Sequence, residues 1–336
     1  MTANRLRVYP RYVVGNTYKA GFSVKVKNKT DAIFSSASSL LYSDLIKDII
    51  VEKKYVFTLS SSSVSIYDRE QNERVGLILK PENQMIFNSF CVNKSQIYVG
   101  TSDGIYSIPK SCVSRQVFEL KPLLMLSTLG GKNIKYVTCN HINSVDYLVA
   151  SHEGGLSYIT NDGEYVSNFS AADTTPGDVY LTSGGQIYYG HGVNGLYFIS
   201  SPNRGPNLNL SIPLVDYLYS SLPSKTVIDL AVSENSISGT KNTIFVATSS
   251  GVSIISESLI LPSLSTIRNI SIANLSSIFI SRGATTSSGY LYYSTNNSST
   301  GIFAKYNLAT DTVVSSHNIN DVSTLFSNEI TSIKLL

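Results

Sequence analysis

The chain has 336 residues, 26 of them basic and 23 acidic, for a formal charge of +3. Only 15% are charged and 42% are hydrophobic, so Ser, Thr and Asn supply much of the polarity. No Lys/Arg run exceeds Lys53-Lys54, and the one basic concentration, Arg5–Lys29, alternates with Tyr, Val and Phe and reads first as an exposed strand face, so no nucleic-acid partner is expected.

No run approaches the 18 apolar residues of a membrane-crossing helix. The opening MTANRLRVYPRYVVG lacks the apolar core of a signal peptide. The expectation is a soluble chain with no membrane insertion, cytoplasmic unless it is carried in a virion. Trp is absent and Tyr numbers 22.

In chain order, the elements are mostly short strands. A hairpin is expected at 12–26 (YVVGNTYKAGFSVKV), followed by a Ser-rich passage. Strand Ile46–Val51 leads into a second hairpin at 55–67 (YVFTLSSSSVSIY), with Arg74–Leu79 after it. Ile86–Val92 precedes the clearest stretch, Gln96–Pro109, QIYVGTSDGIYSIP. It reads as strands Ile97–Thr101 and Ile105–Ile108 around a Ser102-Asp103-Gly104 turn, because alternating apolar residues flank an Asp-Gly pair. Val117–Leu120 is its expected outer strand. The same order follows at Ile134–Cys139, 147–159 (YLVASHEGGLSYI) and Tyr165–Phe169. Next come Asp178–Leu181 and 187–199 (IYYGHGVNGLYFI), then a Pro-rich insertion, Ser201–Ser224. Val227–Val232 precedes 244–255 (IFVATSSGVSII), and Ile267–Ala273 precedes 291–306 (LYYSTNNSSTGIFAKY) and Thr312–Ser315.

Seven hairpins thus start at Tyr12, Tyr55, Ile97, Tyr147, Ile187, Ile244 and Leu291. Self-similarity at this period marks a repeat architecture of four-stranded units. The first hairpin lacks an upstream strand, and the closing residues 330–335 read as a strand without a unit. Pairing the two closes a ring and leaves no long edge.

These hairpins resemble seven-bladed β-propellers. IYVGTSDGIYSI resembles the repeat of two-component-regulator propellers, with a small residue before the turn and a Gly-Leu-like pair after it. YNLATDTVV, 306–314, is similar to the outer hairpin of another propeller repeat, with Thr310-Asp311 in place of its Thr-Gly turn. The resemblance implies an all-β, single-domain, seven-bladed β-propeller over residues 1–336. Its blades would be four-stranded and antiparallel, the ring closed by strand 330–335 joining the N-terminal blade.

The chemical candidates are sparse. Loops on a rigid scaffold carry binding, so Asp103, His152, Glu153, His191, Asn194 and Asn296 are the candidate binding residues of the turn face. Asp103, Glu153, Asp178 and Asp229 are the carboxylates that could pair as in a glycosidase. The four histidines, His141, His152, His191 and His317, show no spacing of a metal site. Asn161-Asp162-Gly163-Glu164 lacks the alternating oxygen ligands of a calcium loop and reads as a turn. Glycine pairs fall in turns, not in a phosphate-binding strand–loop–helix, and no cofactor is expected.

Cys91 and Cys139 fall on neighbouring upstream strands and read first as buried small apolar residues, since three cysteines do not make a complete disulfide framework. Tyr188-Tyr189 and Tyr292-Tyr293 read as packing between units, one of each pair on either strand face. The expected function is a non-enzymatic subunit of a larger assembly, a phage virion or tail having this flavour of composition. The alternatives are a glycan- or peptide-binding receptor and a propeller hydrolase. The expected partners are other protein subunits, with a glycan as the alternative.

Overall fold

The computed structural model describes residues 5–14, 17–25, 32–35, 46–52, 54–68, 73–79, 85–113, 116–119, 121–122, 132–160, 165–169, 175–199, 222–234, 240–258, 264–281, 283–295, 303–317 and 333–335. Among them are β-strands and one three-residue 3-10 turn, Lys110–Cys112, with no α-helix.

Hairpins recur along the chain because alternating apolar strands are broken by short polar or glycine turns. Strands β1 (Arg5–Val14), β2 (Thr17–Lys25) and β3 (Ala32–Ser35) form the first sheet. Next are β4 (Asp48–Val51), β5 (Tyr55–Leu59), β6 (Ser63–Asp68) and β7 (Glu73–Leu79). β8 (Phe87–Val92), β9 (Gln96–Thr101) and β10 (Gly104–Pro109) pair with the short β12 (Lys121–Pro122). β13 (Ile134–Ile142), β14 (Val145–His152), β15 (Gly155–Thr160) and β16 (Tyr165–Phe169) form the sheet after that. β17 (Val179–Leu181), β18 (Ile187–His191) and β19 (Gly195–Ile199) follow. β20 (Val227–Glu234), β21 (Thr240–Thr248), β22 (Gly251–Ser258) and β23 (Leu264–Ser271) precede β24 (Leu275–Ile280), β25 (Tyr290–Thr295), β26 (Phe303–Asn307) and β27 (Thr312–His317). The last strand, β28 (Ile333–Leu335), pairs antiparallel with β1, Leu6 opposite Lys334.

Several expectations need correction. Not every sheet is a four-stranded antiparallel unit. β11 (Gln116–Glu119) joins the β4–β7 sheet in parallel beside β7, while an outer strand for the β17–β19 sheet would fall in the 201–224 insertion, most of which lies outside the described residues. Val117–Leu120 therefore does not serve the Gln96–Pro109 hairpin, whose outer partner is β12. Ile267–Ala273 does not lead the last sheet. Its residues up to Ser271 belong to β23, the fourth strand of the preceding sheet, and β24 leads instead. Both segments are short and apolar, so periodicity alone could not separate an outer strand from a leading one. The first hairpin begins at Arg5, not Tyr12. The Asn161–Glu164 turn, most of the 201–224 insertion, residues 330–332 and Asn296 lie outside the described residues.

The leading strands stand side by side: β4 against β8, β8 against β13, β13 against β17, β17 against β20, and β20 against β24. β28 lies against both β24 and β4. The core sits in the seams between successive sheets. Phe57, Leu59 and Val64 of one sheet meet Phe87, Phe90 and Val99 of the next. Each buried aromatic contributes roughly 1.5–3 kcal/mol by leaving water. Alternation serves two seams from one strand. Tyr188 packs toward the β20–β23 sheet and Tyr189 toward the β13–β16 sheet, both fully buried, as the Tyr pair led one to expect.

The small residue before each turn has a steric cause. A methyl group on Gly190 would come 2.3 Å from Val227 of the next leading strand, and one on Gly100 would come 2.8 Å from Ile134. Ala247 is fully buried at the matching place in its hairpin, and the small Ser151, also fully buried, takes that place between β14 and β15.

Cys91 and Cys139 form a disulfide between β8 and β13, with Cα atoms 5.9 Å apart. This corrects their reading as separate apolar residues. Neighbouring leading strands approach within disulfide reach, which no spacing in the sequence discloses.

Candidate functional site

Four described turns between a second and third strand share one construction, in which the residue at or just past the end of the second strand folds its side chain over the turn. Thr101 Oγ1 donates to the Gly104 carbonyl at 2.9 Å and accepts the Asp103 N–H at 3.0 Å. Thr248 does the same with Gly251 and Ser250, at 3.0 and 3.4 Å. Ser60 Oγ accepts the N–H groups of Ser62 and Ser63. His191 Nδ1 accepts the N–H groups of Val193 and Asn194, at 3.2 and 3.1 Å.

In the β14–β15 turn this place belongs to His152, which pairs with Gly155, and not to Ser151. A one-residue slip moves a side chain to the other face. His152 Nδ1 lies 3.3 Å from the Glu153 carbonyl, which can only accept, so Nδ1 carries the proton and Nε2 accepts from Ser157 Oγ at 2.9 Å. Burial pushes the His152 imidazole below its usual pKa. The Gly154-Gly155 pair leaves two registers open in the sequence, and the pairing of His152 with Gly155 decides between them.

The candidate binding residues therefore separate. His152 and His191 are buried, at 2% and 0% exposure, and hold their turns. Asp103 and Glu153 are exposed, and Asn194 is half-buried, on turns of three successive sheets. Glu153 accepts a hydrogen bond from Asn133 at 3.4 Å. The turns are also tied to the connecting segments: Ser102 N–H donates to the Ile86 carbonyl and Gly104 N–H to that of Lys132, both at 2.9 Å.

Asp178 and Asp229 do come together. Asp178 Oδ2 and Asp229 Oδ1 both accept the Leu230 N–H at 2.9 Å. Two oxygens on one N–H lie within about 6 Å of each other, twice a hydrogen-bond length. Their remaining oxygens are also occupied. Asp178 Oδ1 accepts the Val179 N–H, and Asp229 Oδ2 accepts Ser277 Oγ and the Ile278 N–H, both at 2.8 Å. Asp178 thus links its segment to β20, and Asp229 links β20 to β24. Ser89 makes the same kind of bridge, accepting the Val137 N–H at 2.9 Å. Tyr136 lies on β13 among these groups. Burial, then Asp178, Asp229 and Asp48, push its hydroxyl up to about 12.

Sequence reasoning missed two further clusters. At the opposite end of the strands, His141 Nδ1 is 2.6 Å from Asp146 Oδ1, and Ser95 Oγ donates to Asp146 Oδ2 at 2.5 Å. A nucleophilic serine must touch the imidazole that takes its proton. Here serine and histidine both bond to the carboxylate, so the trio joins two sheets without activating Ser95. His141 and Asp146 are direct cross-strand partners flanking the Asn143-Ser144 turn, a pairing readable once that turn is recognised.

The second missed cluster is buried between β18 and the β21–β22 hairpin. Glu257 is 2% exposed. It accepts from Tyr188 OH at 2.8 Å, Asn242 Nδ2 at 2.8 Å and Gln186 Nε2 at 3.0 Å. Burial, then the Glu257 charge, push the Tyr188 hydroxyl up from its ordinary pKa. Among the described residues no group of three His, Cys, Asp or Glu could hold a metal ion. No helix there is long and apolar enough to cross a membrane.

The chain resembles the structure of BBS1N in complex with ARL6DN, with a TM-score of 0.60 and 12% identity over 90% of this chain and 93% of that one. It also resembles the β-propeller domain of Cps50 (Swd1) from Myceliophteria thermophila, with a TM-score of 0.58 and 11% identity over 82% and 87%. The fold is a β-propeller. At these identities the likeness is one of fold and carries no function. No family model matches the chain, and no curated protein matches it.

Proposed function

We propose that residues 1–336 form one seven-bladed β-propeller, closed by β28 beside β1, which works without catalysis as a rigid interaction module. The proposed setting is a larger protein assembly, such as a phage virion or tail. One observation carries this reading. The acidic side chains best placed for chemistry, Asp178 and Asp229, are engaged in bridges between sheets, while Asp103, Glu153 and Asn194 stand on turns whose backbones are pinned. Preset turns lower the ordering cost of binding. One of the structures sharing this fold, BBS1N, was captured with a protein partner.

The test is cross-linking mass spectrometry of the native assembly containing the chain. Carboxylate cross-links from Asp103 and Glu153 to another subunit are expected. The double variant Asp103→Lys, Glu153→Lys should weaken that association about tenfold or more, as like-charge or lost-charge contacts at an interface do. Both side chains are exposed, so folding is spared. A monomer that binds glycans on an array, with no protein partner, would overturn the assembly reading in favour of a receptor.

A further inference from the structure

We infer that the Cys91–Cys139 disulfide is a redox latch on the seam between the β8–β10 sheet and the β13–β16 sheet, closed in an oxidising setting and opened by a dithiol reductant. The inference is independent of which partner the propeller binds. The bridge joins two leading strands that are not hydrogen-bonded neighbours in one sheet, 48 residues apart in sequence. It therefore fixes how one sheet sits on the next, not the pairing within either.

Its position gives the latch something to control. Cys91 lies two residues before Asn93, whose Oδ1 accepts the Ser95 and Gln96 N–H groups at 2.9 and 2.8 Å. Cys139 lies two residues before His141. Ser95, Asp146 and His141 cross the same seam just beyond the bridge. Cys139 is half-buried, which admits a small reductant, while Cys91 is 7% exposed. The rest of the seam holds without the sulfur bond. Tyr98, Ile105, Ile134, Leu148 and Ile159 pack across it, and Asn88 Nδ2 donates to the Ile134 carbonyl at 2.8 Å.

The chemistry balances. A thiolate of the dithiol attacks one sulfur, giving a mixed disulfide and releasing one cysteine thiolate. The reductant's second thiol then closes its own disulfide and releases the other cysteine. Two electrons pass to the protein, and two protons complete the thiols. Structural disulfides are a feature of oxidising settings, so a closed latch places the working protein outside a reducing cytosol.

Two measurements test this on the full chain purified without reductant. Thiol titration in denaturant should find one free thiol, the odd cysteine of the three in the sequence. After dithiothreitol treatment the protein should keep its far-ultraviolet circular dichroism. Its Tm should fall by about 5–10 °C. Amide protection at 93–96 and 140–146 should fall about tenfold while distant sheets stay protected, a local opening. The Cys91→Ser, Cys139→Ser variant should reproduce the reduced state and ignore dithiothreitol. Three free thiols in the untreated protein would overturn the latch. So would global unfolding on reduction, or unchanged exchange in those two segments.

Discussion

Two seams of the propeller solve one packing problem differently. Between the β4–β7 and β8–β10 sheets the buried cluster holds Phe57 and Phe87, both fully buried, and a charged pair that crosses the seam, Lys110 with Glu52, is only half-buried. Between the β17–β19 and β20–β23 sheets a comparable apolar cluster surrounds Glu257 and its three donors. The apolar seam asks for volume, and many side chains can supply that. The polar seam asks for particular atoms, because an unmet buried donor costs more than a met one gains. Glu257 thus ties the packing of these two sheets to the particular donors of Tyr188 and Gln186.

The largest effects should be equal in the two seams. Phe57→Ala removes a buried ring and should cost about 3–5 kcal/mol in equilibrium unfolding. Glu257→Ala leaves Tyr188, Asn242 and Gln186 without their acceptor and should cost a similar amount, about 3–5 kcal/mol. A near-neutral Glu257→Ala would remove the distinction.

Alkaline titration should strike wherever tyrosines are buried. Burial first of all pushes Tyr67 and Tyr136 from 10.0 up to about 12. Above pH 10 the unfolded chain loses protons that the folded chain keeps, so stability is intact below pH 10 and falls as pH rises through about 12. Each such group contributes about 1.4 kcal/mol per pH unit to that slope. Tyrosinate absorbance and circular dichroism should change together. Full tyrosine ionisation near pH 10 with the fold retained would contradict the burial.

Conservative substitutions separate the seams most sharply. Glu257→Gln keeps the shape but turns an amide toward donors, and should cost about 2 kcal/mol. Phe57→Leu changes more volume, yet should cost only about 1–1.5 kcal/mol. Reversal of that order in urea unfolding would show that shape governs both seams.

The strands were legible in the sequence where turn chemistry and alternation agreed, as in Gln96–Pro109 and 187–199. They were not legible where a strand's partner is distant. Nothing local tells that β11 adds to β7 in parallel, or that the 264–271 segment closes one sheet and does not open the next. The turn residues were half legible. Their positions beside the turns could be read, but that Thr101, His191 and Thr248 hold their turns, and that His152 is their counterpart, depends on the pairing to the turn glycine. The roles of Asp178 and Asp229 were hidden, since each depends on an N–H from another sheet.

That last point bears on whether the molecule recognises or catalyses. The most direct measurement is the unfolding midpoint of Asp178→Asn and Asp229→Asn beside glycoside turnover by wild type and both variants. The expected result is a loss of about 1–3 kcal/mol of stability in each variant, as for a broken hydrogen bond to a charged group, with turnover at background throughout. Turnover by the wild type, abolished by Asp229→Asn at an unchanged unfolding midpoint, would contradict it.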